Sequence, residues 1–131
     1  MPASNYVKSN SLSLWANRQS ITPPSVLYVA LYTTNPTQAD TGTEVSGGGY
    51  ARAAATFTTP TLSGEQAIVQ NSAAVNFPQL TANAGVAAYV GIRDAATGGH
   101  LLFYEALPTS LNLTSGFTPY FASGELKISM K

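Results

Sequence analysis

The chain of 131 residues contains no cysteine and a single histidine, His100. Without cysteine it can form neither disulfide bonds nor thiolate metal sites, and its redox compartment cannot be inferred. One histidine makes a metal site only in the company of carboxylates. The length is typical of one domain and allows a core that needs no covalent staple. We therefore predict a single domain spanning residues 1–131, with no cofactor and no metal.

Charge is also scarce. The chain carries six basic and six acidic residues, has no formal net charge, and is 9% charged, against about 25% in ordinary soluble domains. A net charge near zero favours association, so we expect a homo-oligomer, a dimer or trimer, whose surface is largely covered by neighbours. A nucleic-acid partner is not expected, because no basic face is available to bind phosphates.

Long apolar runs are absent as well. No run approaches the roughly 20 residues that a membrane span needs, and residues 1–10 lack the basic start and apolar core of a signal peptide. We therefore expect no membrane partner.

The chain has no Gly-x-Ser-x-Gly elbow, and with six acidic residues in all a pair of catalytic carboxylates is not expected. We predict that the protein is not an enzyme.

The first element present is a helix within residues 1–20. Residues 3–18 predict it, with Ser4 or Asn5 as the N-cap. Val7, Leu14 and Trp15 fall on one stripe, and Trp15 is the only tryptophan. We expect Trp15 to anchor the helix to the core, and the alternative is a contact with another subunit.

Apolar runs between turn signals predict seven or eight short strands. Both faces of the first run are apolar, which is typical of a central strand covered on both sides. Residues 60–65 are predicted to be a turn, and Pro108 is predicted to end a strand. The fold class is therefore mainly β, a single β-sandwich with one N-terminal α-helix, and a jelly-roll-like arrangement is compatible with it. The predicted strands are residues 25–33, 49–59, 66–69, 71–77, 86–94, 100–107, 110–113 and 120–130.

A long polar loop rich in glycine, residues 34–49, joins two of the most strand-like runs. Most connections in compact domains have about 4–6 residues, and longer ones are usually functional or disordered. A phosphate loop is not indicated, because Gly47–Gly49 lacks the Gly-Lys-Ser/Thr ending. We predict that the loop, together with the helix, contacts partners. The residues predicted to interact are Thr41, Gly42, Thr43, Glu44, Val45, Gly47, Gly48, Gly49 and Trp15.

Two charged features of this region call for an interpretation. Asp40 and Glu44 could hold a hard cation such as Ca²⁺, although their spacing is not that of an EF-hand. Arg52 lies in an apolar strand and needs an acidic or carbonyl partner, because an unpaired buried charge is costly. The candidate partners are Glu44, Asp94 and Glu105. We predict that Arg52 is a structural charge that fixes the loop to the sheet.

Blocks of sequence through most of the chain resemble a family of small tailed-bacteriophage virion proteins commonly described as phage tail fibre proteins. The two most specific blocks are TGTEVSGGGYAR from Thr41 and VGIRDAATGGHLLFYEAL from Val90. Within the second, the specific letters are DAATGG and the LL that follows His100. The others are the N-terminal helix, TPPSVLYVALYTTNPT from Thr22, NSAAVNFP from Asn71 and FASGELKISM from Phe121.

The resemblance implies a structural component of a phage virion, made in the cytoplasm of the bacterial host. Two locations stay open, a tail or fibre-associated subunit and a head decoration or cement subunit. Both act through contacts with other capsid or tail proteins. The alternative function is a carbohydrate- or receptor-binding module of the adsorption apparatus that binds a host glycan. The residues that offer stacking faces for it are Tyr28, Tyr32, Tyr89, Tyr104 and Tyr120.

Overall fold

The computed structural model describes residues 1–130, which form one helix and nine strands. The fold is mainly β with an N-terminal helix, as predicted. The elements are α1 (Asn5–Ala16), β1 (Leu27–Tyr32), β2 (Ala53–Ala55), β3 (Thr61–Ser63), β4 (Gln66–Gln70), β5 (Val75–Asn76), β6 (Gly85–Arg93), β7 (Leu101–Leu113), β8 (Tyr120–Phe121) and β9 (Lys127–Met130).

The strands form three antiparallel sheets. The largest has four strands in the order β2-β1-β6-β7, and it faces a three-stranded sheet, β3-β4-β9, and a two-stranded sheet, β5-β8. The main core lies between them and includes Val29 and Leu31 of β1, Val75 of β5, Phe121 of β8 and Ile128 of β9. This shared core is what joins the three sheets into one packed body.

Strand β1 is covered on both faces, as predicted for a central strand. Val29 and Leu31 point into the main core, while Ala30 and Tyr32 point the other way into a smaller cluster with Leu101. All four are buried. The second face therefore also needs a cover, and the functional-site region provides it.

The N-terminal residues extend the four-stranded sheet before the helix begins. Ala3 pairs with Phe103 of β7, and the Ser4 amide donates to the Leu102 carbonyl at 2.8 Å. The Ser4 hydroxyl accepts a hydrogen bond from the Val7 amide at 3.3 Å and is the N-cap of α1. The start of the helix is thus tied to β7, which agrees with one of the two predicted caps.

Trp15 does not anchor the helix, and that expectation was wrong. Its side chain is 81% exposed, and no residue of α1 is buried. Val7 and Leu14 line a groove on the body side of the helix. Trp15 follows Leu14 by one residue, or about 100° around a helix, and does not line this groove.

Four predictions for individual segments were wrong. The predicted strand at 71–77 is reduced to β5. The predicted strand at 49–59 is reduced to β2, and its first residues belong instead to a turn in which Gly47–Gly49 have positive φ and the Tyr50 amide donates to the Gly47 carbonyl. The predicted turn at 60–65 contains β3, which forms a hairpin with β4. The predicted strand at 120–130 is divided into β8 and β9 by a turn in which Gly124 has a φ of 83°.

Strand β7 also differs from its prediction, because it continues through Pro108 to Leu113. Its pairing with β6 shifts register between Ala87 and Tyr89 of β6, which leaves residues 107–110 outside the ladder. Proline is tolerated there, since its missing N–H removes no ladder hydrogen bond.

Asn71 is a buried polar residue that connects distant parts of the chain. Its side-chain nitrogen donates to the carbonyls of Ala73 and Ala122, both at 2.9 Å, and its side-chain oxygen accepts from the Leu126 amide at 2.9 Å. Asn71 is fully buried. It therefore holds the segment between β4 and β5 against the turn between β8 and β9.

We predict that Asn71→Ala lowers the free energy of unfolding by about 3 kcal/mol, because it leaves buried donors and acceptors without partners. Urea denaturation followed by circular dichroism measures the loss. Asn76→Ala, at an exposed position of β5, is the matched control and should change stability by less than about 0.5 kcal/mol. Equal effects of the two substitutions would contradict this role for Asn71.

Candidate functional site

The long loop after β1 folds back onto the sheet and is a packed part of the body. The Val45 amide donates to the Leu31 carbonyl at 2.9 Å, and the Thr33 amide donates to the Thr43 carbonyl at 2.9 Å. Val45 is buried in the main core, and Pro36 is fully buried. The loop therefore continues the sheet beside β1.

Arg52 fixes the end of this loop. Its Nε and Nη2 atoms donate to the two carboxylate oxygens of Glu44 at 2.9 and 2.7 Å. Its Nη1 atom donates to the carbonyls of Ala95 and Gly98 at 2.8 and 2.9 Å. The side chain is 8% exposed. Arg52 thus pairs with Glu44, one of its three predicted partners, and joins the loop to the hairpin between β6 and β7.

Arg93 makes a second, parallel connection, which the sequence analysis missed. It pairs through Nη1 and Nη2 with both oxygens of Asp40, at 2.8 and 2.9 Å. It also donates to the Tyr32 hydroxyl at 2.9 Å, to Gly99 O at 3.0 Å and to Gly98 O at 3.3 Å. All five N–H groups of this guanidinium have an acceptor.

The two arginines converge on the same turn, since both donate to the Gly98 carbonyl. We call Arg52, Glu44, Arg93 and Asp40 the arginine latch. The rule that identified Arg52, an arginine within an apolar strand, applies equally to Arg93. The latch holds the loop and the hairpin together over the outer face of β1.

Two tyrosines connect the latch to the central strand. The Tyr50 hydroxyl accepts from the Leu31 amide at 2.9 Å and donates to Glu44 Oε2 at 2.8 Å. Burial raises the pKa of Tyr50 well above its ordinary value. Burial also raises the pKa of Tyr32, although the hydrogen bond from Arg93 opposes the shift. Both phenols therefore stay neutral and act as fixed hydrogen-bonding groups.

Backbone geometry adds a constraint at the tip of the loop. Asp40 has a φ of 57°, a left-handed conformation that is uncommon for residues other than glycine, although Asp tolerates it better than most. At Gly42, a Cβ atom would lie 2.5 Å from the Pro36 Cα atom. The loop can therefore close only with glycine at residue 42, and the ion pair with Arg93 offsets the strain at Asp40.

Some of the residues predicted to interact lie on the surface, and others lie in the interior. The exposed ones are Thr41, Thr43, Gly47, Gly49 and Trp15, whereas Gly42, Glu44 and Gly48 are half-buried and Val45 is buried. The exposed loop residues lie on one segment that the latch holds in place. Trp15 lies apart from them in sequence, on α1, and its side chain is exposed.

The cation interpretation of the loop conflicts with this geometry. Asp40 and Glu44 are bound to different guanidinium groups, so neither carboxylate is free to coordinate Ca²⁺ in this arrangement. Within residues 1–130 there is no group of three or more His, Asp or Glu residues that could hold a metal ion.

His100 closes the hairpin beside the helix. Its backbone N–H donates to Asp94 Oδ1 at 2.7 Å, its ring Nδ1 lies 3.1 Å from Asp94 Oδ2, and the ring stacks on Tyr6 with centroids 3.9 Å apart. Burial alone would raise the pKa of Asp94, but the hydrogen bonds from His100 outweigh it and lower that pKa below its ordinary value.

A protein-family model described as podophage GP4 fiber I protein gp80 matches residues 2–129. No curated protein matches the chain. Among residues 1–130 the structure contains no helix with the length and apolar character that crossing a membrane requires.

We predict that Arg52→Ala lowers the free energy of unfolding by about 3 kcal/mol, because it leaves the partly buried Glu44 carboxylate without its cation and with the Tyr50 hydroxyl as its remaining donor. Arg52→Lys should lose less, since it keeps the charge but not the planar fork. Chemical denaturation measures both, with the exposed Lys8→Ala as control. A loss below about 0.5 kcal/mol for Arg52→Ala would show that the pair of Arg52 with Glu44 contributes nothing measurable.

The lowered pKa of Asp94 predicts an acid-dependent contribution to stability. The carboxylate stabilises the folded state above its unfolded pKa of about 3.9, and this contribution is lost as pH falls through the lower folded pKa. Asp94→Asn should therefore destabilise at neutral pH and flatten the decline of stability below about pH 4. Thermal denaturation from pH 7 to pH 2 tests this, and parallel curves for the two proteins would refute it.

Proposed function

Because the chain belongs to the family of podophage GP4 fiber I protein gp80, we propose that it is a structural subunit associated with the tail fibres of a phage virion. The observation that carries the proposal is the family match over residues 2–129. The family points to a virion component without enzymatic activity. We further propose that the protein is attached at the tail and does not decorate the head.

The loop has the properties of a preformed contact surface. Its exposed residues, Thr41, Thr43, Gly47 and Gly49, lie on a segment that the arginine latch holds against the sheet. A surface that is ordered before binding loses less conformational entropy when a partner docks. Loops held by a rigid scaffold commonly carry recognition. We therefore assign contacts with other virion proteins to this segment and to Trp15.

A second candidate function is the binding of a host glycan. The observation that favours it is that Tyr28, Tyr32, Tyr89 and Tyr104 lie on one face of the four-stranded sheet, as their register shows. Tyr32 is buried within the latch, but Tyr89 and Tyr104 are half-buried and retain part of their surface. If this candidate function is correct, Tyr89→Ala loses binding to glycans on an array, whereas the control Tyr120→Ala binds them as the wild type does.

We predict that imaging of intact virions at residue-level resolution finds this protein in a few copies at the tail. Hundreds of copies on the icosahedral lattice would overturn the fibre location and make the protein a head decoration or cement subunit. The images also locate residues 41–49 directly, and a partner protein is expected against them.

We further predict that Thr43→Arg impairs incorporation into particles by about tenfold or more, as for loss of an interface residue worth over 1.4 kcal/mol. The fold should be unchanged, because the Thr43 side chain is exposed and only its backbone bonds to Thr33 and Thr34. Ser110→Arg, at an exposed position on β7, is the control. Normal incorporation of the Thr43→Arg variant would show that the loop is not part of the interface.

A further inference from the structure

Among residues 1–130, the hydrogen bonds that tie α1 to the body come from its cap and its first turn. The Ser4 hydroxyl donates to the Leu101 carbonyl at 2.5 Å, and the Asn5 amide donates to the Gln38 carbonyl at 2.8 Å. Lys8 Nζ donates to Gln38 Oε1 at 2.8 Å. Residues 1–8 are therefore fastened to the four-stranded sheet and to the long loop.

In the described part of the chain, the rest of the helix and the linker after it have no such anchor. Residues 9–26 make one hydrogen bond outside the helix ladder, from the Gln19 amide to the Ser13 carbonyl at 3.1 Å, and it is local. Every residue from 14 to 26 is exposed. We call residues 9–26 the strap, because the segment is fastened at its two ends, to residues 1–8 and to β1.

Packing of the strap against the body is loose. A groove of about 360 Å³ lies between the helix, residues 21–24 and Leu102. Leu14 and Ile21 line this groove, yet they remain 40% and 37% exposed. Well-packed interiors contain few voids larger than a water molecule. Movement of the strap therefore uncovers little apolar surface that is not already in contact with water.

The helix within the strap also has little stability of its own. Several of its residues are poor helix formers, because their side chains compete for backbone hydrogen bonds. They are Ser9, Asn10, Ser11 and Ser13. The helix has no acidic residue in its first turn and no basic residue in its last, so its macrodipole is uncompensated at both ends. An isolated helix of 12 residues is marginal in water, so α1 depends on tertiary contacts, which are sparse along the strap.

We infer that the strap opens and closes as one unit, with α1 unwinding beyond its first turn while residues 1–8 and the β-sheets stay folded. Segments with few buried contacts and few tertiary hydrogen bonds open at the lowest free energy in a protein. Opening is a property of the free chain, so the inference goes beyond the proposed function and does not depend on it.

Opening extends the reach of Trp15, which is exposed on the strap. Trp15 follows Lys8 by seven residues. In the helix this separation is about 10 Å along the axis, whereas an unwound chain of the same length spans up to about 24 Å. The strap therefore gives the indole a range of positions that the folded helix alone does not allow.

Limited digestion with trypsin tests the inference, because a protease cleaves a regular element only after that element opens. Leu12→Arg places a cleavage site at an exposed position of the helix, and Arg matches Leu in helix propensity. Asn112→Arg is the control, at an exposed position of β7 that is paired with Val86. After correction for cleavage of the corresponding synthetic peptides, the site at residue 12 should be cut about 100-fold faster or more than the site at residue 112.

Two further variants separate unwinding of the helix from movement of a rigid helix. Ser9→Ala and Ser13→Ala together, added to Leu12→Arg, strengthen the helix and should slow cleavage at residue 12 by about threefold to fivefold. Ser63→Ala, at an exposed position of β3, should leave that rate unchanged. Arg18 lies outside the helix, so it is cut in either case and shows that the protease is active.

Cleavage at residue 12 as slow as cleavage at residue 112 would overturn the inference. An unchanged rate in the variant with Ser9→Ala and Ser13→Ala would also overturn it, because the helix would then not unwind. Equally fast cleavage at the buried Arg52 and Arg93 would show that the whole chain unfolds, and the strap would not be a separate unit.

Discussion

The bidentate pairing of two guanidinium groups with two carboxylates is the interaction on which the architecture around β1 depends. Burying Arg52 and Arg93 would be prohibitive without partners, but each finds a carboxylate and carbonyl oxygens of the hairpin at residues 95–99. Pairs with such complete hydrogen bonding recover the cost of desolvation. The long loop thereby becomes a cover for the outer face of β1, where Ala30 and Tyr32 would otherwise meet water.

This arrangement explains why so long a connection is ordered. Glycine at residue 42 permits close approach to Pro36, Val45 inserts into the main core, and the latch ties the loop to a turn distant in sequence. The loop is therefore built as part of the folded body. Substitutions within the latch act on the same structure that presents Thr41 and Thr43, so under the proposed function they change stability and partner binding together.

The sequence predicted the fold class and the central strand β1, and it placed Ser4 among two candidate N-caps and Glu44 among three candidate partners of Arg52, because each depends on a local pattern or on a general cost of buried charge. It did not predict the pairing of Arg93 with Asp40, since their proximity arises only when the loop folds back over the sheet. It also misplaced Trp15. Helical periodicity shows which residues share a stripe, but not which side of a helix the body occupies, and α1 is tied to the body mainly at its first turn.

The scarcity of charge links the interior of this protein to its surface. Only twelve residues carry formal charge, and four of them form the latch, where their charges neutralise one another. Few remain to keep the exterior soluble and to repel other copies. The same composition leaves the large apolar side chains of Leu12 and Trp15 on α1 exposed. A chain built in this way is poorly suited to a solitary existence in water and well suited to an assembly, in which neighbours cover the apolar surface.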